Sequence, residues 1–159
     1  SIDKDVFEVA FQIGKLYVEM EQPDEGMEYL EKAIKLKPEY GPAFSSMGDC
    51  FTSIGMIDKA VSAYKKAIKL NANDADSLSA LGLLFDAQGE NIDISTLFCR
   101  QSVEISPENG LFRYRLGRLY QKANKIEAAL EEFKAAKKMG YDSIQEIKQI
   151  GNLQSSGTS

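Results

Sequence analysis

The chain has 159 residues, with 24 acidic and 19 basic side chains, two cysteines and no histidine. That length suits one domain with a real core. An apolar content of 43% with 27% charged residues excludes a disordered chain, and every apolar run falls short of the roughly 18 residues a membrane span needs. Without imidazole, and with Cys50 and Cys99 far apart in sequence, the residues supply no disulfide framework, no metal cluster and no histidine base.

Along the chain, one short box recurs: an apolar residue, Gly, two variable residues, then an aromatic. It reads Ile13-Gly14-Lys15-Leu16-Tyr17, Met47-Gly48-Asp49-Cys50-Phe51, Leu81-Gly82-Leu83-Leu84-Phe85 and Leu116-Gly117-Arg118-Leu119-Tyr120, with the glycines 34, 34 and 35 residues apart. A second landmark follows each box: Ala33 before Pro38, then Ala60, Tyr64 and Ala67, then Ser95 and Ser102 before Pro107, then Ala129, Phe133 and Ala136. Apolar residues between the landmarks keep helical spacing, as in Phe44, Met47, Phe51 and Ile54, followed by Ile57, Ala60, Val61, Tyr64, Ala67 and Ile68.

Each period is therefore predicted to be a pair of amphipathic helices. The breaks within pairs fall at Gln22-Pro23-Asp24, Gly55 to Asp58, Gly89-Glu90-Asn91 and Ala123-Asn124-Lys125; those between pairs fall at Pro38, Asn71 to Asp74 and Pro107-Glu108-Asn109. About four-fifths of the chain should be helix. Ser143 to Ile150 reads as a short closing helix, with Ser143 as N-cap, Glu146 three residues on, and Ile144, Ile147 and Ile150 on its inner face. Residues 151–159 carry neither periodicity nor charge and are expected to be disordered. The absence of an initial Met reads as an excised or processed piece of a longer chain.

Four copies in register resemble the tetratricopeptide repeat family, a 34-residue helix-turn-helix unit with a Leu-Gly-x-x-Tyr box, a small residue, an aromatic, an alanine and a proline. The resemblance covers residues 7 to about 140 in four units, 7–40, 41–74, 75–109 and 110–141, with a capping helix over 143–150. It implies an all-α, right-handed superhelix over residues 1–150. The chain departs from the pattern where Ala10, Phe44, Leu78 and Arg113 stand for the family's large aromatic. The third unit also carries one extra residue between Gly89 and Asp93, and has Cys99 and Ser102 in place of aromatic and alanine. Packing explains the pattern: glycine and alanine remove bulk where helices cross, and adjacent units cover apolar faces that one unit cannot cover alone.

By the same resemblance, the first helix of each unit lines a concave groove. The candidate binding residues are Phe11 and Lys15 in unit one, Ser45 and Asp49 in unit two, Ser79 and Leu83 (with Asp86 beyond) in unit three, and Tyr114, Arg115, Arg118 and Lys122 in unit four. Charge is uneven: residues 1–40, 41–74, 75–109 and 110–140 carry −5, +1, −5 and +5. Arg115, Arg118 and Lys122 share one helix face by their spacing, and a guanidinium can hold a carboxylate at two points. A short acidic or carboxylate-terminated peptide is the expected partner, gripped by Phe11, Leu83 and Tyr114 on its apolar residues. The acidic remainder of the chain disfavours nucleic acid. The carboxylate clamp of chaperone-binding members would need lysine, arginine and asparagine where this chain has Phe11, Lys15, Ser46, Asp76 and Ala80, so that specialisation is set aside.

Nothing in the pattern points to bond-making chemistry. Asp49, Asp86 and Glu90 are scattered acids without a partnered base, Cys50 and Cys99 read as core thiols, and the recurrent glycines sit inside helices rather than in a phosphate loop. The expected function is a non-enzymatic, cytoplasmic scaffold that needs no cofactor or metal and holds a peptide or helix of a partner protein. The alternative is a structural module whose oppositely charged ends self-associate into an oligomer.

Overall fold

A computed structural model describes residues 2–157. Among the described residues the chain forms nine α-helices and no strand: α1 (Ile2–Glu19), α2 (Pro23–Leu36), α3 (Gly41–Ser53), α4 (Ile57–Leu70), α5 (Ala75–Ala87), α6 (Ile92–Ile105), α7 (Gly110–Lys122), α8 (Ile126–Lys138) and α9 (Ile144–Ser156). Helices occupy about four-fifths of the chain, and the first eight pair as the spacing predicts. The third unit's second helix, α6, is regular despite its departures.

Local chemistry sets the ends. Pro23 and Pro42 lie in the first turns of α2 and α3, where a missing N–H costs nothing. Asn91 and Asn109 cap α6 and α7 by accepting from the Asp93 and Phe112 amides, and Asp74 accepts from Ser77 at the start of α5. Each turn inside a pair ends on a left-handed residue at the same place in the period: Glu21 (φ 57°), Gly55 (75°), Gly89 (73°) and Asn124 (59°).

The box glycines set how closely the two helices of a unit approach. A methyl built on Gly14 would sit 2.9 Å from Leu30 Cγ, on Gly48 2.6 Å from Tyr64 Cε1, and on Gly117 2.8 Å from Phe133 Cε1. On Gly82 it would sit 2.5 Å from Cys99 Sγ and 2.9 Å from the Ser95 carbonyl. The third unit thus compensates for a smaller partner by bringing the backbone itself closer, with Cys99 and Ser95 both fully buried.

The helices gather into two compact units, Ser1–Ser77 and Leu78–Ser159. In the first, Phe7, Ala10 and Phe11 of α1 meet Leu30 and Ala33 of α2 and Ala43, Met47 and Cys50 of α3 in one core. In the second, Phe133 and Ala129 of α8 bury Ile150 of α9, with Tyr114 and Tyr120 of α7 alongside.

α1 starts at Ile2, five residues ahead of the first repeat unit. Two expectations change. Ser143 does not cap α9 with its side chain; its hydroxyl is buried and donates to the Phe133 carbonyl at 2.6 Å, while Asp142 accepts from the Ile144 amide and Glu146 turns toward α7. The stretch expected to be disordered from 151 instead continues α9 through Ser156, although positions 158 and 159 lie outside the described residues. The reason is a fifth copy of the box. Ile150-Gly151-Asn152-Leu153 falls 34 residues after Leu116-Gly117-Arg118-Leu119, and the buried Ile150 anchors it as Leu116 anchors α7.

Both cysteines are buried and unpaired, and burial pushes each thiol from an ordinary 9.0 up to about 11.

Two outcomes follow from this packing. Gly82→Ala should cost about 1–3 kcal/mol, because backbone cannot yield cheaply, whereas Gly151→Ala, with nothing within 4 Å, should lose no stability and can gain about 1 kcal/mol of helix propensity; thermal melts of the two variants read the contrast. The thiols make stability fall with alkaline pH. Between pH 9 and about 11 the unfolded chain releases protons that the folded one retains, so stability is full below 9 and drops across that window. Denaturant titrations of a Cys50→Ala, Cys99→Ala double variant should show a shallower alkaline decline than the parent.

Candidate functional site

The second unit brings four of the predicted residues to one cleft. Leu83 of α5 and Arg115, Arg118 and Lys122 of α7 line a depression of about 320 Å3, together with Asp86, Leu119 and Gln121. Spacings of three and four residues place Arg115, Arg118, Leu119 and Lys122 on adjoining strips of one helix. Gly82 lets α6 press against the opposite side of α5, which leaves Leu83 turned outward and 38% exposed.

Each cation is engaged differently. Arg115 is half-buried and its Nη1 donates to Ser79 Oγ at 2.8 Å, so Ser79, fully buried, supports the guanidinium from below instead of facing a ligand. Lys122 donates to Asp86 across the cleft. Arg118 stands 3.8 Å from Glu146 of α9, and its side chain is 58% exposed against 15% for the glutamate. That separation is too long for a good hydrogen bond, so most of the guanidinium edge faces solvent. Outside the cleft, Arg113 donates from Nε to the Pro107 carbonyl and from Nη1 to Glu132 at 3.1 Å. The basic island of the fourth unit is therefore partly compensated from within.

Tyr114 does not open onto this cleft. It packs on Phe133 and Tyr141 and donates to Glu146 at 2.8 Å; burial first, then that hydrogen bond and the glutamate's charge, raise its phenol above the ordinary value. The sequence assigns Glu146 only a capping role, because a separation of 32 residues leaves no local signal of its contact with Tyr114. Leu119 was detectable, four residues beyond Arg115. Cys99 lies beneath the site, with its thiol 3.9 Å from the Ser79 carbonyl; Arg115 pulls its pKa down, but less than burial raises it.

The first unit arranges its four candidates apart from one another. Phe11 is buried, edge-on to Tyr40 at 5.0 Å, and belongs to the core rather than to an open wall. Lys15 is exposed, 4.0 Å from Glu19. The Ser45 hydroxyl is hydrogen-bonded to Ser77 at 2.9 Å, and exposed Asp49 accepts from Tyr64 at 2.6 Å. Among the described residues no helix is long and apolar enough to cross a membrane, and no three acidic or cysteine side chains group as metal ligands.

Comparison with known proteins agrees with this architecture. Family models described as Tetratricopeptide repeat and TPR repeat match residues 7–40 and 112–139 and residues 48–89, together well over half of the chain. The human Cell division cycle protein 16 homolog is 28% identical over 143 residues, 89% of this chain and 22% of its own length. Anaphase-promoting complex subunit 3 of Schizosaccharomyces pombe is 23% identical over 72% of this chain and 17% of its own length. The chain thus spans about a fifth of the length of such curated relatives. Among solved structures, a crystal structure of MamA is 26% identical with a TM-score of 0.73, covering 84% of this chain and 78% of that one. MamA from Desulfovibrio magneticus RS-1, 17% identical with a TM-score of 0.77 over 95% of this chain and 86% of its own, shares the fold. The chain belongs to the tetratricopeptide repeat family, and its helix-pair array is a protein-interaction scaffold.

Proposed function

We propose that this scaffold is non-enzymatic and captures a segment of a partner protein, with the cleft beside α5 and α7 receiving a carboxylate of that segment. The observation that carries the reading is the convergence of Arg115, Arg118 and Lys122 with Leu83 and Leu119 on one depression. Arg115 is pre-positioned on Ser79, so little side-chain freedom is lost when an anion arrives. Arg118 offers its exposed edge for a two-point contact that its loose approach to Glu146 does not satisfy. Lys122 is held by Asp86 and can share its ammonium with a second anion, while Leu83 covers an apolar neighbour on the peptide. Two of the relatives are by name members of assemblies, the anaphase-promoting complex and the BBSome, which is in keeping with a partner-holding role. Two buried, unpaired thiols suit a cytoplasmic setting.

The test is binding of a labelled six-residue peptide, two leucines followed by four acidic residues and a free C-terminus. Arg118→Glu should weaken it about tenfold or more, in line with the worth of a charge-assisted hydrogen bond of about 1.5–3 kcal/mol, Leu83→Ala should weaken it less, and amidation of the C-terminus should cost part of the affinity. An affinity indifferent to Arg118→Glu and to salt would remove the cleft from the mechanism.

A further inference from the structure

Within the first unit, Ile34 of α2, Phe44, Met47 and Phe51 of α3, and Ala63 of α4 line a second groove, of about 430 Å3. Lys59, Ser62 and Lys66 of α4 form its edge, with Asp58 at the start of that helix. The three helices are consecutive, and none is the first or last of the array. Met47 and Ala63 are buried, Ile34, Phe44 and Phe51 are half-buried, and Lys59, Ser62 and Lys66 are exposed. The ammonium groups of Lys59 and Lys66 each stand 5.7 Å from a ring centroid, of Phe51 and Phe44 respectively, so each aromatic of the groove carries a cation above it. Among the described residues neither lysine has an acidic side chain within ion-pair distance.

The period singles out this pair of cations. Their places hold Glu25 and Lys32 in the first repeat, Ala128 and Ala135 in the fourth and, allowing for the extra residue, Ile94 and Gln101 in the third. The place of Phe44 is held by Ala10, Leu78 and Arg113, so an aromatic beneath the second lysine is also peculiar to this repeat. Packing demands are common to all four helix pairs and do not account for a feature found in one. Seven residues along α4 set the two lysines about 10.5 Å apart on one helix face. On a facing helix the same interval separates residues that again share a face, whereas an extended chain returns to one face at about 6.8 or 13.6 Å. The spacing therefore matches a helix. Asp58, one residue before Lys59, repels acid beyond that end and confines the complementary charges to the span between the lysines.

We propose that this groove receives an acidic amphipathic helix of a partner protein. The helix lies along α4, with two carboxylates seven residues apart over Lys59 and Lys66 and an apolar strip on Ile34, Phe44 and Phe51. Opposite charge selects such a helix over a neutral or basic one. The groove shares no residue with the cleft at Leu83 and Arg118, so the two surfaces can be tested apart.

The probe is a labelled sixteen-residue helical peptide with leucine at its second, fifth, ninth and twelfth positions, glutamate at its sixth and thirteenth, and alanine and glutamine elsewhere. Its C-terminus is amidated, to remove the carboxylate that the cleft would take. Fluorescence anisotropy with the whole chain should show saturable binding. Lys59→Glu and Lys66→Glu should each weaken it about tenfold, and Ser62→Trp, which fills the groove, should weaken it more, all with an unchanged helical circular-dichroism spectrum. A peptide whose glutamates stand four apart should bind about tenfold more weakly. A peptide with lysine in both glutamate places should bind the Lys59→Glu, Lys66→Glu double variant better than it binds the parent. No saturation at millimolar chain overturns the proposal, as does an affinity unmoved by Lys59→Glu and Lys66→Glu. Loss of binding on Arg118→Glu overturns it too, since that places the peptide in the cleft. Self-association of the chain in sedimentation equilibrium that Ser62→Trp abolishes likewise overturns it, in favour of a second copy as occupant.

Discussion

The close approach of a first helix to its own second helix, at a residue with no side chain, is the constraint from which the remaining geometry follows. Gly14, Gly48, Gly82 and Gly117 each receive a side chain from sixteen or seventeen residues later, Leu30, Tyr64, Cys99 and Phe133, at distances no methyl would tolerate. With the pair locked at that distance, neighbouring side chains on the first helix have fixed directions. Residues one before the glycine point into the core, as Leu81 and Leu116 do, and residues one after it point away, as Lys15, Asp49, Leu83 and Arg118 do. The exposed position of the candidate cleft is thus a by-product of packing on the opposite face.

Electrostatics then works on a surface that packing has already oriented. The fourth unit's excess of cations could have given an unsatisfied basic patch, but Glu132, Asp86 and Glu146 each meet one of them. Exposed pairs of this kind contribute little to stability, about 0–1 kcal/mol, so they are exchangeable: an incoming carboxylate competes with Asp86 or Glu146 at small cost. Arg113 differs, since both it and Glu132 are largely shielded and the guanidinium is also tied to the Pro107 carbonyl. It belongs to the framework, whereas Arg118 and Lys122 remain open to exchange.

The period was legible because it rests on local chemistry repeated in register. Glycine inside a helix, alanine opposite it and proline past the end are each weak signals, but four aligned copies leave few alternatives. What was not legible depended on contacts between distant residues. Phe11 occupies a position that faces a ligand in the family pattern, yet Tyr40 covers it. Ser143 and Glu146 have the spacing of a capping box, but the hydroxyl is drawn to the Phe133 carbonyl and the carboxylate to Tyr114, where a buried donor and a phenol had greater need of partners. The fifth box is masked in the sequence by Gln154, which stands where the aromatic should be, although its Ile-Gly-x-Leu core is intact.

Exposure along the period follows what reaches the first helix from its neighbours. Cys50, Leu84 and Leu119 hold one place in the period and all are buried; Cys50 is covered by α2, its sulfur 3.3 Å from where a methyl on Gly26 would sit. Leu153 holds the same place in α9 and is 64% exposed, since among the described residues nothing approaches Gly151 within 4 Å. The same box thus yields a buried or an open leucine according to whether a second helix meets its glycine, so burial here is a property of the helix pair and not of the residue.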